Sequence, residues 1–358
     1  MNGLVQPAIA FIATIILILL LRPLAVKLGF TDAPTERKGH QGDVPLVGGI
    51  AIFLALGIAI FSVGGLFNGA PLTFFGAAFL LVFVGAWDDW RGLSPLIRFT
   101  AQMCAGLIMV YGAGIVLTDL GSLTPSGKIF YLGAMAVPFT IFVTVGMINA
   151  INMCDGLDGL SGNMTLVLLA GLGFANSLWG SAIHLQLLNI VSAAIAGFLV
   201  FNQRMFWRNK AWVFLGDAGS MMLGFALAWN VIEITLGSPQ IISPAAALWF
   251  LAVPIYDTVT LMVRRIAHGR SPFQADSEHL HHLLVRTGFT VGETIGIICL
   301  LAALGCGIGM LVTYLGLADF VVALVFVAVG FIYLWQIQSA WRTGKLFGRT
   351  VRESVSVI

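Results

Sequence analysis

Charge is what this sequence has least of. Of its 358 residues only 18 are Lys or Arg and 16 are Asp or Glu, while 59% are hydrophobic and the mean hydropathy is +0.98. A soluble fold of this length carries most of its charge on its exterior, so a water-facing surface over most of the chain is excluded. The net charge is only +2 and the basic residues are dispersed, which excludes the basic footprint of a nucleic-acid partner. The four cysteines (Cys104, Cys154, Cys299 and Cys306) form no CxxC pair and sit mostly in apolar runs, so they read as buried thiols rather than disulfides or zinc ligands. Alternating segments of about ten residues are missing, which excludes a transmembrane β-barrel. Met1 to Leu21 has no basic leader and no small-residue cleavage site, and reads as a first span rather than a signal peptide. No repeat or low-complexity tract divides residues 1–358, so a single domain is expected.

What is present is a series of apolar runs of membrane-spanning length. Eleven fall near 4–21, 46–66, 71–87, 96–117, 129–149, 163–180, 183–202, 213–235, 244–263, 292–315 and 319–337. The expected fold is therefore all-α, a polytopic integral membrane protein of about eleven transmembrane helices. With the N-terminus outside, 17 of the 18 basic residues fall on the cytoplasmic side and only Lys128 lies outside. This topology puts the C-terminus in the cytoplasm. It leaves inner loops near 22–45, 88–96, 150–162, 203–212 and 264–291 and a tail at 338–358. The segments rich in Asp, Asn or His all lie on that side.

Five inner segments could carry chemistry. The first runs from Thr31 and Asp32 through Pro34, Glu36, Arg37, Lys38, His40 and Gly42 to Pro45-Leu-Val-Gly48-Gly49. Its double glycine suggests a turn where backbone approaches something closely. The second, Trp87-Asp88-Asp89-Trp90-Arg91, sets two carboxylates side by side. Such a pair repels unless a cation lies near, and Mg²⁺ held by carboxylates and substrate phosphates would meet that need; an interfacial cap is the plain alternative. The third, from Asn149 through Asn152, Asp155 and Asp158 to Gly162, has two acids and no Lys or Arg, so their counter-ion must come from another loop or a metal. If this segment continued as helix, Asn152, Asp155 and Gly159 would share about one face. The fourth, Gly216-Asp217-Ala-Gly219-Ser220, resembles a phosphate- or metal-binding helix start, with Asp217 as an N-cap the plain alternative. Asp257, inside the ninth run, is read either as a partner of Arg264 or Arg265 or as a direct participant.

The fifth segment runs from Arg264 and Arg265 through Pro272, Asp276 and Ser277 to Glu278-His279-Leu280-His281-His282. It reads EHLHH where a zinc protease would read HExxH, and its Arg and His suit phosphate oxygens. Carboxylates for a hard cation and basic groups for phosphates, together at a membrane–cytosol boundary, suit phosphoryl transfer to a lipid phosphate.

In combination these motifs resemble the polyprenyl-phosphate N-acetylhexosamine-1-phosphate transferase family (glycosyltransferase family 4). The resemblance runs from Asp32 to the His279 cluster. It is nearest the branch that transfers GlcNAc-1-phosphate from UDP-GlcNAc to undecaprenyl phosphate: Leu280 interrupts the histidine run, and no lysine precedes Gly48-Gly49. The resemblance implies a bacterial inner-membrane enzyme with its site facing the cytoplasm, using Mg²⁺, or Mn²⁺ in its place, and opening a surface polysaccharide of O-antigen, common-antigen or teichoic-acid type. It implies Asp217 as leading metal ligand, with Asp88 and Asp89 as base or as orienting groups for metal and lipid phosphate. Asn152, Asp155 and Asp158 become nucleotide- and metal-site positions, while Arg264, Arg265, His279, His281 and His282 hold sugar phosphates. UDP-MurNAc-pentapeptide or another UDP-N-acetylhexosamine is the alternative donor, and a homodimer is compatible with the sequence. Two other classes are a secondary transporter of an anionic solute, which would place polar residues at mid-membrane, and an isoprenyl-diphosphate transferase, which would release no UMP.

Overall fold

The computed structural model describes residues 4–32, 43–62, 69–180, 182–204, 208, 210–236, 240–271, 278–346 and 349–351. Arg37, Lys38, His40 and their neighbours in the first loop, Pro272 to Ser277 in the last, and Arg352 in the tail lie outside the described residues.

The elements in chain order are α1 (Val5–Leu28), β1 (Thr31–Asp32), β2 (Val44–Pro45), α2 (Gly48–Ser62), α3 (Ala70–Arg91), α4 (Pro95–Ala113), α5 (Ala136–Met153), α6 (Leu160–Trp179), α7 (Ala182–Asn202) and α8 (Gly216–Thr235). Then come α9 (Pro244–Phe250), α10 (Ala252–Ala267), α11 (Leu280–Arg286), α12 (Val291–Tyr314), α13 (Asp319–Thr343) and a small hairpin, β3 (Lys345–Leu346) with β4 (Arg349–Thr350). Strands β1 and β2 pair antiparallel. The chain is an all-α polytopic membrane protein. Among the described residues seven helices are long and apolar enough to cross a membrane, and the bent pair α9–α10 makes an eighth. That is fewer than the eleven apolar runs. Helix α2, at 15 residues, reaches only about 22 Å; α7 is described as apolar only over 186–202, and α6 is less apolar, with Asn163 and Asn176 inside it.

Helix α8 is the axis of the bundle, buried along nearly its whole length and packed by α2, α3, α5 and α6. Small residues permit that approach, as they do between helices in lipid. A Cβ on Gly49 would overlap the Gly219 backbone, and one on Gly85 would come within 2.5 Å of Ala218 Cα. The Pro45–Gly49 segment is tied to the start of α8 through backbone: Gly48 N–H donates to Phe214 O (2.9 Å), Gly49 N–H to Leu215 O (3.0 Å) and Phe214 N–H to Pro45 O (2.9 Å). The close approach expected of the double glycine is therefore to the helix carrying Asp217.

The ninth run is not straight. It breaks at Leu251, and α9 and α10 meet at 82°. Pro254 accounts for the break: it has no N–H for the preceding turn, and it fits a helix's first turn, where none is needed. Asp257, Leu261 and Arg265 lie on the buried face of α10, while Val259 and Ile266 are exposed on the other. All four cysteines are free thiols, with Cys154 and Cys306 buried.

Candidate active site

The site lies where the C-terminal ends of α3 and α5 meet the N-terminal ends of α4 and α8. Helix α3 continues to Arg91, so Asp88 and Asp89 sit in its last turn and point to different partners. Asp89 accepts the backbone N–H of Asp217 (2.8 Å) and of Ala218 (3.2 Å). A carboxylate from α3 thus satisfies the open N–H groups at the start of α8, where helix dipole and unpaired donors favour an anion. Gly216 makes room for it with φ +71°, since a Cβ there would overlap the Asp89 carboxylate. Asp217 does not cap its own helix, the plain alternative for this residue: the N-cap position is Leu215, Asp217 lies in the first turn, and its carboxylate faces Asn152 and Arg98.

Asp217 and Asp88 share one cation. Arg98 Nη1, from the first turns of α4, lies 2.9 Å from Asp88 Oδ2 and 3.4 Å from Asp217 Oδ2. The other Asp88 oxygen accepts the Leu93 N–H, and Asn152 at the end of α5 donates to Asp217 Oδ1 (2.6 Å) and bonds Ser220 Oγ (2.8 Å). Ser220 Oγ donates in turn to Gly216 O (3.0 Å). Sequence reading took Arg98 only as an inner-side basic residue. The signal that could have singled it out is its place within the apolar run 96–117, where a cation is costly without partners.

Helix α5 stops at Met153, so Asp155 and Asp158 lie in the turns that follow and Asn152, Asp155 and Gly159 do not form one helical face. Asp158 pairs with Arg204 Nε (2.9 Å) and accepts the Ala211 N–H (3.3 Å). The counter-ion expected from another loop is therefore Arg204. Asp155 is exposed on the turn that follows α5. Weakened solvation, then the like charges of Asp217, Asp89 and Asp158, push its pKa from 3.8 up to about 8.

The histidine segment forms the adjoining wall. His279 occupies the N-cap position of α11 without capping it by its side chain, and its Nδ1 is 2.8 Å from Asp257 Oδ2. The rings of His279 and His281 stack at 5.4 Å, with His282 4.1 Å from His281. His281 is buried, and a Cβ on Gly156 would overlap its Nε2, so this ring rests on the turn that carries Asp155. Burial first, then the neighbouring His282 and His279, hold the His281 pKa well below the usual histidine range. Asp257 pairs with His279 rather than with Arg264 or Arg265. Arg264 turns instead to Glu278 and lies over the Trp341 ring (5.4 Å), and Arg265 is buried on α10.

The donors around Asp217 fit a hard divalent cation: carboxylate oxygens of Asp217 and Asp88 sit close enough to share one cationic group. Among the described residues no group of three or more Asp, Glu, His or Cys side chains is arranged to hold a metal ion by itself. A cation here would complete its shell with water and phosphate oxygens, as Mg²⁺ commonly does. Beside the site, an apolar cleft of about 470 Å³ opens between α1, α2 and α3, with Leu24, Val47, Ile50, Phe83, Trp87 and Trp90 in its lining.

Residues 71–235, the span holding Asp88, Asp89, Asn152 and Asp217, match the family described as glycosyl transferase family 4. The chain is 36% identical over 343 residues to the undecaprenyl-phosphate alpha-N-acetylglucosaminyl 1-phosphate transferase of Escherichia coli K12, covering 96% of this chain and 93% of that protein. It is 34% identical over 347 residues to the Yersinia pestis protein of the same name, with coverage of 96% and 93%. The Haemophilus influenzae protein of that name is 32% identical over 348 residues, 97% of each chain. The sequence motifs, the packing that assembles them at one end of the bundle and these full-length likenesses agree, and the chain belongs to glycosyl transferase family 4.

Proposed function

We propose that this enzyme transfers GlcNAc-1-phosphate from UDP-GlcNAc to undecaprenyl phosphate, giving undecaprenyl-diphosphate-GlcNAc and UMP. The observation that carries the reading is the Asp88–Arg98–Asp217 cluster, with Asn152 fixing Asp217, next to an apolar cleft that ends at the neighbours of Asp88. Such a site suits one substrate whose tail stays in the bilayer and another that arrives from water. The full-length likeness to enzymes named for this acceptor and this sugar supports the assignment.

A lipid phosphate oxygen attacks the β-phosphorus of the donor, the bond to the bridging oxygen breaks, and UMP leaves with that oxygen. A phosphate monoester's second pKa is near 6, so the acceptor is largely ionised at pH 7 and direct attack needs no strong base. Asp88 and Asp217 would hold Mg²⁺, or Mn²⁺ in its place, which when bound neutralises charge on the diphosphate. Arg98 orients and neutralises a phosphate oxygen once its carboxylates are otherwise engaged. Asp89 fixes the start of α8, and through it the position of Asp217. Asp155 faces the nucleotide side, and His279, His281 and His282, with Arg264 and Arg265, line the donor phosphates. Asp158 supports the turn through Arg204.

We place this site on the cytoplasmic face of the bacterial inner membrane, with eleven crossings, the N-terminus outside and the C-terminus inside; the distribution of Lys and Arg supports this. The product would begin a surface polysaccharide. The test is purified enzyme with undecaprenyl phosphate, Mg²⁺ and competing UDP-sugars. UDP-GlcNAc should be used in preference to UDP-GalNAc and UDP-MurNAc-pentapeptide, and preference for either rival would overturn the donor assignment. Asp217→Asn should be inactive at any Mg²⁺ concentration; wild-type turnover would remove Asp217 from the metal site.

A further inference from the structure

Asp257 is buried on the inward face of α10, and none of the roles above uses it. Its side chain is 8% exposed, yet three groups converge on it. His279 Nδ1 lies 2.8 Å from Oδ2, the Leu280 N–H donates to Oδ1 at 2.9 Å, and the Tyr333 hydroxyl of α13 donates to Oδ1 at 3.3 Å. Two of these partners are the N-cap side chain and the first N–H of α11, so Asp257 does for α11 what Asp89 does for α8. A buried carboxylate is costly unless fully bonded, and two of this one's three partners are present only while α11 is docked.

The docked helix reaches the catalytic turn. The His279 ring stacks on His281, and His281 packs against Gly156, between Asp155 and Leu157. Cys154, Asp257, Leu280 and His281 line one small cavity at this junction. With Nδ1 of His279 spent on the carboxylate, the ring's orientation is set from α10, as outer partners set the orientation of ligating histidines elsewhere.

We propose that Asp257 is the positioning residue of the histidine wall. It anchors His279 and the start of α11, holds His281 on the Gly156 turn, and so keeps the donor-phosphate groups in register with Asp217. This rests on the donor-phosphate role given to the histidines above, but the docking itself can be read without activity.

The experiment follows maleimide alkylation of each cysteine, by peptide mass, in folded wild-type, Asp257→Ala and His279→Ala enzyme, alongside steady-state kinetics. Cys154 is buried beneath α11, whereas Cys306 is buried elsewhere and reports the rest of the bundle. In both variants Cys154 should react about tenfold or more faster while Cys306 stays protected, as expected for loss of charge-assisted bonds to a buried group. KM for UDP-GlcNAc should rise by about the same factor with KM for the lipid acceptor little changed, and Asp257→Glu should recover part of it. Unchanged Cys154 protection in both variants overturns the anchoring. So does exposure of Cys154 and Cys306 together in both variants, because Asp257 would then support the bundle as a whole. Selective Cys154 exposure with no change in donor KM would uphold the anchor and overturn the donor-phosphate role of the histidines.

Discussion

If Arg98 stands between Asp88 and Asp217 as the cation of the metal-free site, removing it should make the enzyme bind metal more tightly and turn over more slowly. Its guanidinium lies 2.9 Å and 3.4 Å from the two carboxylates. Two unit charges about 4 Å apart interact by roughly 4 kcal/mol at an effective dielectric of 20. The Arg98 and Asp217 side chains are 32% and 29% exposed, so solvent takes away much of that. About 1–2 kcal/mol is a fair net value for the competition Arg98 offers an incoming cation. The expected result for Arg98→Ala is therefore a Mn²⁺ dissociation constant lowered about 5- to 30-fold, with kcat reduced because a phosphate oxygen loses its partner. Arg98→Lys keeps the charge and should leave the Mn²⁺ affinity near wild type. The assay is Mn²⁺ titration of purified enzyme by electron paramagnetic resonance at pH 7, paired with turnover under saturating metal. Unchanged or weaker Mn²⁺ binding in Arg98→Ala would show that this guanidinium does not compete with metal for these carboxylates.

Asn152→Ala removes the 2.6 Å bond to Asp217 and the 2.8 Å bond to Ser220. A hydrogen bond to a charged group is worth about 1.5–3 kcal/mol, so kcat should fall about 10- to 100-fold, measured as UMP release. Asp155, with its pKa moved from 3.8 to about 8, binds a proton in the metal-free fold across a range where the unfolded chain has released it. Stability should therefore fall as pH rises from about 4 to about 8, and Asp155→Asn should flatten that decline; thermal unfolding in detergent with chelator at pH 5 and pH 8.5 checks it. Ala86→Phe narrows the apolar cleft and should raise KM severalfold for undecaprenyl phosphate while leaving a short-chain polyprenyl phosphate little affected.

Much of this was legible in residue order because the membrane makes polar residues conspicuous. Apolar runs located the helices, and the double glycine at 48–49 signalled a close backbone approach that proved to be to α8. Pairings across the bundle were not legible. Local reading left capping of its own helix open as an alternative for Asp217, whereas Asp89, more than a hundred residues earlier, satisfies the start of α8. The same reading looked for partners of Asp257 along its own helix at Arg264 and Arg265, but they come from α11 and α13. In each case spacing along one helix says nothing of what a neighbouring helix presents. The ninth run reads as one span in residue order, which gives no sign of the 82° turn; beyond it α10 packs against α5 as well as against the α12 and α13 that also hold α9.

The central claim is that this site moves a phosphosugar and not the sugar alone. Its most direct test uses UDP-GlcNAc carrying ³²P at the β-phosphorus and ³H in the sugar, incubated with undecaprenyl phosphate and Mg²⁺. Both labels are expected in the lipid fraction at a one-to-one ratio, with unlabelled UMP released in equal amount. Tritium in the lipid with ³²P left behind in UDP would contradict the claim.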